Sequence, residues 1–177
     1  MVELELVRTY AAPRQLVWDA WTDPDQIAQW WGPRGISTPR ESIELDLRLG
    51  GRMRFYMVDD ATGERYPNSG TILELDPPSR IVWADDGFLD GTGKARATVT
   101  FIAIDEATTT LRVRVVADFT DTVRAGAEQG WASQLDKLTE LLAPAVTQLE
   151  QGGAPLNSGS AKAGADTHRS SAARCDQ

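Results

Sequence analysis

The chain contains one histidine and one cysteine, and both fall close to its C-terminal end, at His168 and Cys175. The region before them has no imidazole to act as general base, nucleophile partner or metal ligand, and no thiol for a disulfide or a thiolate site. Serine-histidine triads, histidine metal centres and cysteine redox chemistry are therefore excluded there. Long hydrophobic runs are also missing: nothing approaches the roughly 18 uninterrupted apolar residues of a membrane helix. The opening MVELELVRTY alternates charged and apolar side chains where a signal peptide would have a basic start and an apolar stretch. A cytoplasmic protein with no membrane partner is expected. Positive charge is scarce, with 18 Lys and Arg against 26 Asp and Glu and a formal net charge of -8. From Val146 onward the two signs balance, so the whole excess falls on the preceding domain. Such a surface repels phosphate backbones and anionic lipid, and nucleic acid is not an expected partner.

What is present reads as one domain. A length of 177 residues with 41% hydrophobic content can bury one good core. The longest helical pattern spans Asp121 to Leu142, where Val123, Ala127, Trp131, Leu135, Leu138 and Leu142 recur at the steps that share one helix face. Arg124, Glu128, Asp136, Lys137 and Glu140 fall outside that stripe, so the helix is amphipathic and its partner should be a sheet. Val2 to Tyr10 alternates with a period of two, as a half-buried strand does. Pro13 suits the first turn of a short helix to about Trp21. Asp23-Pro24-Asp25-Gln26 reads as a cap, a first-turn proline and a capping box opening a second short helix to Trp30 or Trp31. Gly32-Pro33-Arg34-Gly35 ends it.

Alternation then predicts strands over Ile43 to Leu49, Arg52 to Val58 with Met53, Phe55 and Met57 inward, Thr71 to Leu75, Arg80 to Ala84, Ala97 to Ile104 and Thr109 to Phe119. Seven strands joined by short turns make an antiparallel meander, an α+β architecture with helices inserted after the first strand. Residues 1–150 form the domain. Residues 151–177, rich in Gly, Ser and Ala, have too few large apolar side chains to offset their ordering entropy and read as a disordered tail.

Candidate chemistry is thin. Asp59, Asp60, Asp85, Asp86 and Asp90 read as loop acids that could rim a pocket, with solvation as the favoured reading. The stretch DDGFLDGTGKAR supplies only part of a calcium loop, so no metal and no cofactor are expected. Six tryptophans are the more informative feature. Trp18 and Trp21 can share a helix face and read as structural. Trp30 and Trp31 are adjacent, so on a helix one of them should stand at an opening. Gly126 and Gly130 each cost roughly 1 kcal/mol of helix propensity relative to alanine. Either the sheet approaches closely there or space is left.

Four stretches, APRQLVWDAWTDPDQIAQWWGP, LDLRLGGRMRF, GTILELDPPSRIVW and GWASQLDKLTELL, together resemble the START-like helix-grip (SRPBCC) superfamily. Within it they are similar to the branch named after the activator of the heat-shock-protein-90 chaperone ATPase, in its small stand-alone bacterial form. The resemblance covers about Val2 to Leu142. It implies a curved antiparallel sheet wrapped around the long C-terminal helix, with an apolar cavity between them. Carried over by position, Phe55, Met57, Phe101, Val113, Val115, Trp131 and Leu135 would line that cavity, and Trp30 and Trp83 would stand at its mouth or wall. The function so implied is non-catalytic binding of a small apolar or aromatic ligand. A polyketide cyclase or aromatase-like enzyme is the alternative. Chaperone activation, which in that branch goes with a two-domain architecture and a setting in the stress response, comes third, so a chaperone partner is not expected. Whether the chain pairs with a second copy of itself is left open.

Overall fold

Leu4 and Leu6 alternate with Glu3 and Glu5 on the first strand, β1 (Val2–Tyr10), and the leucines are buried while the glutamates face out. Asp23 does what its place before Pro24 predicts, although its carboxylate takes the N–H of Asp25 and not that of Gln26. This cap separates two short helices, α1 (Arg14–Thr22) and α2 (Pro24–Trp30). The computed structural model describes residues 2–88, 93–118 and 120–151. The expected tail from Gly152 on, with His168 and Cys175, and the loop acid Asp90 lie outside the described residues.

The remaining strands are β2 (Ile36–Ser37), β3 (Glu44–Leu45), β4 (Arg52–Asp59), β5 (Arg65–Asp76), β6 (Arg80–Phe88), β7 (Gly93–Ala103) and β8 (Thr109–Ala117), and the long helix α3 (Asp121–Gln151) closes the chain. The sheet runs in the order β1-β8-β7-β6-β5-β4-β2, and β3 pairs with β4 off this path. All pairings are antiparallel. The sheet curls into a half-barrel whose concave face carries Leu4, Leu6, Val113, Val115, Val99 and Trp83, all buried. On its convex face Glu3 pairs with Arg114 and Glu5 with Arg112. The architecture is the α+β helix-grip arrangement that the alternation and the four motifs imply.

Two expectations need correction. The alternation from Ile43 to Leu49 does not make a strand of that length: only Glu44–Leu45 pairs with β4. Residues 46–51 fold into a tight turn, with Arg48 N donating to Asp46 O and Gly51 N to Arg48 O, which leaves Leu49 69% exposed. A Cβ at Gly51 would lie 2.0 Å from Asp46 O, so the turn depends on glycine there. Pro67-Asn68-Ser69-Gly70 has the composition of a turn and falls outside the strands that alternation predicts, yet it lies inside β5, because those residues continue the ladder with β4. Proline is tolerated in a strand where its missing N–H would not have joined the ladder. Beyond Leu142, where the apolar stripe ends, α3 continues through Pro144 to Gln151, since proline's fixed φ is itself compatible with a helix.

The helix meets the sheet unevenly. Leu135, Leu138 and Leu142 are buried, α3 packs on the β1 side of the sheet, and it also contacts α1 and α2. Val123, expected in the buried stripe, is 39% exposed at the other end. Lys137, expected on the water face, is half-buried, and its ammonium donates to Gly32 O at 3.0 Å and Ile36 O at 3.4 Å. Trp21, Trp30, Trp31, Trp83 and Trp131 form one aromatic network in the middle, with Trp21 stacked on Trp131 at 6.3 Å and 11°.

Candidate functional site

Cross-strand register sets the floor of the site. Phe55 lies opposite Asn68, Met57 opposite Tyr66, Gly70 opposite Asp85, and Ile72 opposite Trp83, so these side chains share the concave face of β4, β5 and β6. The roof is the first half of α3, which contributes Gly126, Ala127, Gly130, Trp131 and Gln134. Between floor and roof lies an open cavity of about 1130 Å³. Its lining continues past the edge of β4 to Glu41, Ser42, Arg54, Tyr56 and Arg65, which belong to the other face. A ligand in the inner basin would fill only part of that volume. A second, small apolar pocket of about 40 Å³ shares Trp31, Met53, Phe55 and Trp83 with this wall and lies among Trp21, Ile27, Ile43, Leu45, Ile72 and Ile81.

The two helix glycines resolve the question the sequence leaves open. A Cβ built on Gly126 or Gly130 would meet nothing within 4 Å, so they do not mark close packing but border empty space. Gly70 is the opposite case. A Cβ there would lie 2.8 Å from Ala84 O, 3.2 Å from Trp83 Cδ1 and 3.3 Å from Asp85 Oδ1. Glycine is what lets the floor carry Trp83 and Asp85 side by side.

Of the residues singled out from the sequence, Phe55, Met57, Trp83 and Trp131 come together around the cavity. Trp30, Phe101, Val113, Val115 and Leu135 do not. Trp30 is fully buried at the corner between α1 and α2, where its indole N–H donates to Ala20 O at 2.8 Å. Phe101 packs edge-on against Trp18 at 5.3 Å. Val113, Val115 and Leu135 are buried where helix and sheet are in contact, at the closed end of the grip. The expectation that Trp30 or Trp31 stands at an opening assumed that both are helical. The helix ends at Trp30, and Trp31 is extended, with φ -67 and ψ 131. Both rings are therefore buried, and Trp31 is the one that lines the cavity. It is held there from α3: Gln134 Oε1 accepts from Gly32 N, Ser133 Oγ accepts from Arg34 N, and Lys137 grips the same loop.

Asp85 is the functional candidate that the sequence expectation misplaces. It belongs to β6 and not to a loop, two residues beyond Trp83 and therefore on the same face. The signal was present in the alternation Ile81, Trp83, Asp85, had the strand been extended by one residue. Trp83 Nε1 donates to Asp85 Oδ1 at 3.0 Å. Burial, partly opposed by this hydrogen bond and reinforced by the neighbouring Asp86 charge, pushes the Asp85 carboxyl up to about 7. Asp86 points to the other face, where it pairs with Arg52 at 2.6 Å. Asp59, another candidate acid, is occupied by the N–H groups of Ala61 and Thr62, which hold its carboxyl below the usual range. Among the described residues no group of three His, Cys, Asp or Glu side chains converges as a metal would require. No helix of the described residues is long and apolar enough to cross a membrane.

Comparison with known proteins agrees with this geometry. The family model described as activator of Hsp90 ATPase homolog 1-like protein matches residues 11–143. No curated protein matches the chain. Among solved structures, a Chromobacterium violaceum protein is 27% identical with a TM-score of 0.70, over 78% of this chain and 95% of that one. A Silicibacter pomeroyi protein bearing the AHSA1 name is also 27% identical, with a TM-score of 0.68 over 80% of this chain and 98% of its own. CalU16 from Micromonospora echinospora shares the fold at 24% identity and a TM-score of 0.59, over 85% and 82% of the two chains. With motifs, sheet order, gripping helix and family match in agreement over the same span, the chain belongs to the family of activator of Hsp90 ATPase homolog 1-like proteins.

Proposed function

We propose that this protein binds a small apolar or aromatic molecule in the basin beneath α3 without transforming it. The observation that carries this reading is a cavity whose inner wall is Trp31, Met53, Phe55, Met57, Trp83 and Trp131, facing two helix glycines with nothing against them. Methionine adapts to irregular shapes and tryptophan supplies flat contact area, so such a wall accepts a ligand through dispersion and released water. Native mass spectrometry of freshly purified protein, followed by titration against tryptophan fluorescence, tests it. Gly130→Leu should fill the basin and abolish the fluorescence response while keeping the fold. A Gly130→Leu protein that binds as well as the parent would remove the basin from consideration.

A second reading has one observation in its favour. A carboxyl that titrates near neutrality at the floor of an apolar cavity suits proton transfer, which is what a cyclase-like enzyme would need. Under that reading a bound compound is recovered chemically altered, and Asp85→Asn blocks the change while preserving binding. Chaperone activation has no comparable support, and pull-down with the host chaperone should yield no stoichiometric complex at moderate salt.

A further inference from the structure

Most surface carboxylates among the described residues are paired with arginine, as Glu3, Glu5, Asp25, Asp46, Glu74, Asp86, Asp136 and Glu140 are, or, like Glu41, Glu44 and Glu64, are exposed to water. Asp85 is in none of these pairs. Its cross-strand neighbours are Gly70 and Ala95, too small to cover it, and its one described hydrogen bond comes from the Trp83 indole. We infer that the basin selects organic cations, with Asp85 as the counter-charge for an amine carried on an apolar or aromatic body. This inference rests on the reading that the basin binds small molecules, and it specifies their chemistry.

Three features support it. A carboxylate taken from water without a cation is costly, and a ligand ammonium would supply the missing partner. The wall of the basin is aromatic: Trp31 lies 6.4 Å from Trp83 and 5.8 Å from Trp131, centroid to centroid, and all three line the same cavity as Asp85, where an ammonium would meet rings that attract cations. The net charge of -8 raises the local concentration of cations and lowers that of anions.

Among the described side chains the other charged groups of the cavity lie at its outer rim: Glu44 and Arg54 are register partners across β3 and β4, and they and Glu41 fall on the other face from Phe55 and Met57. On β6 itself Asp86 is taken by Arg52 of β4. On β7 Arg96 points to Glu74 of β5. From β5 the facing positions are Asn68 and Gly70, and from α3 they are Gly126, Ala127 and Gly130. Arg65 lies over the Tyr56 ring, at 4.7 Å, on the far side of β4. An amine bound at Asp85 would favour the ionised carboxyl and release a proton, so its affinity rises with pH across the range where Asp85 titrates, up to about 7.

The test uses the full chain and three probes of one shape: 4-butylbenzylamine, 4-butylbenzyl alcohol and 4-butylbenzoate, titrated calorimetrically from mildly acidic to mildly alkaline pH. The amine stays protonated throughout, so any pH dependence belongs to the protein. On the alkaline side the amine should bind about ten-fold or more tightly than the alcohol, as expected for a charged hydrogen bond over a neutral one. Asp85→Asn should abolish that preference and its pH dependence while leaving the alcohol's affinity unchanged. Equal affinity for amine and alcohol, a preference for the benzoate, or a preference untouched by Asp85→Asn would overturn the inference while leaving a binding basin in place. If none of the three probes binds, the basin reading fails and takes the inference with it.

Discussion

Replacing Asp85 by asparagine should stabilise the protein on the alkaline side of neutrality and leave it unchanged in acid. In the unfolded chain this carboxyl loses its proton near 3.8, whereas burial beside Trp83 on the cavity floor delays the loss to about 7 in the folded state. Between those values the folded protein binds more protons than the unfolded one, so stability is full below the lower value and is lost as pH rises to the upper one. A separation of about three units at about 1.36 kcal/mol each gives about 4 kcal/mol. Partial contact with solvent through the basin makes that an upper figure, and about 2 to 4 kcal/mol is the working range. Asparagine has the same shape, carries no charge to desolvate, and its side-chain oxygen still accepts the Trp83 N–H. Urea unfolding followed by tryptophan fluorescence measures both proteins from about pH 4 to about pH 8. Their difference cancels the other carboxylates, and it should open from near zero to the stated range, with the variant the more stable. Curves that stay parallel across the window, or a variant less stable at the alkaline end, would refute the claim that Asp85 is half-buried with no cation beside it among the described side chains.

Two further outcomes follow from the floor and the roof of the site. Gly70→Val places a branched side chain against Ala84 O and the Trp83 ring, and thermal melting should report a loss of about 1 to 3 kcal/mol. Lys137→Met removes the donors that hold the Gly32 and Ile36 carbonyls. It should cost about 1 to 3 kcal/mol in urea unfolding and speed hydrogen exchange over residues 32–36, the loop that positions Trp31.

Local rules made much of this protein legible in its sequence. The period-two alternation of β1 and β4, the Asp23-Pro24 start of α2 and the Ala127-Trp131-Leu135-Leu138-Leu142 stripe depend on neighbours a few residues away. Those contacts survive in any fold that buries the stripe against a sheet. Where alternation alone went astray, from Ile43 to Leu49, a turn closed by Gly51 displaced it, because backbone contacts too close for any side chain outweigh the pattern of polarity.

The site required positions along two elements far apart in sequence. Val113, Val115 and Leu135 face inward as surely as Phe55 and Trp131, yet they fill core, because α3 touches the β1 side of the sheet and stands off from β4 and β5. No periodicity encodes that tilt. The same tilt decides that Gly126 and Gly130 border space and that Trp31 stands at the wall, one residue past the end of its helix. It also sets the chemistry of Asp85, since a carboxyl's charge depends on the dielectric around it and on the cations within reach. The sequence by itself determined the helices, most of the strands and the inward face; the tertiary structure alone decided which part of that face stays empty, because a cavity is a distance between elements and not a property of either one.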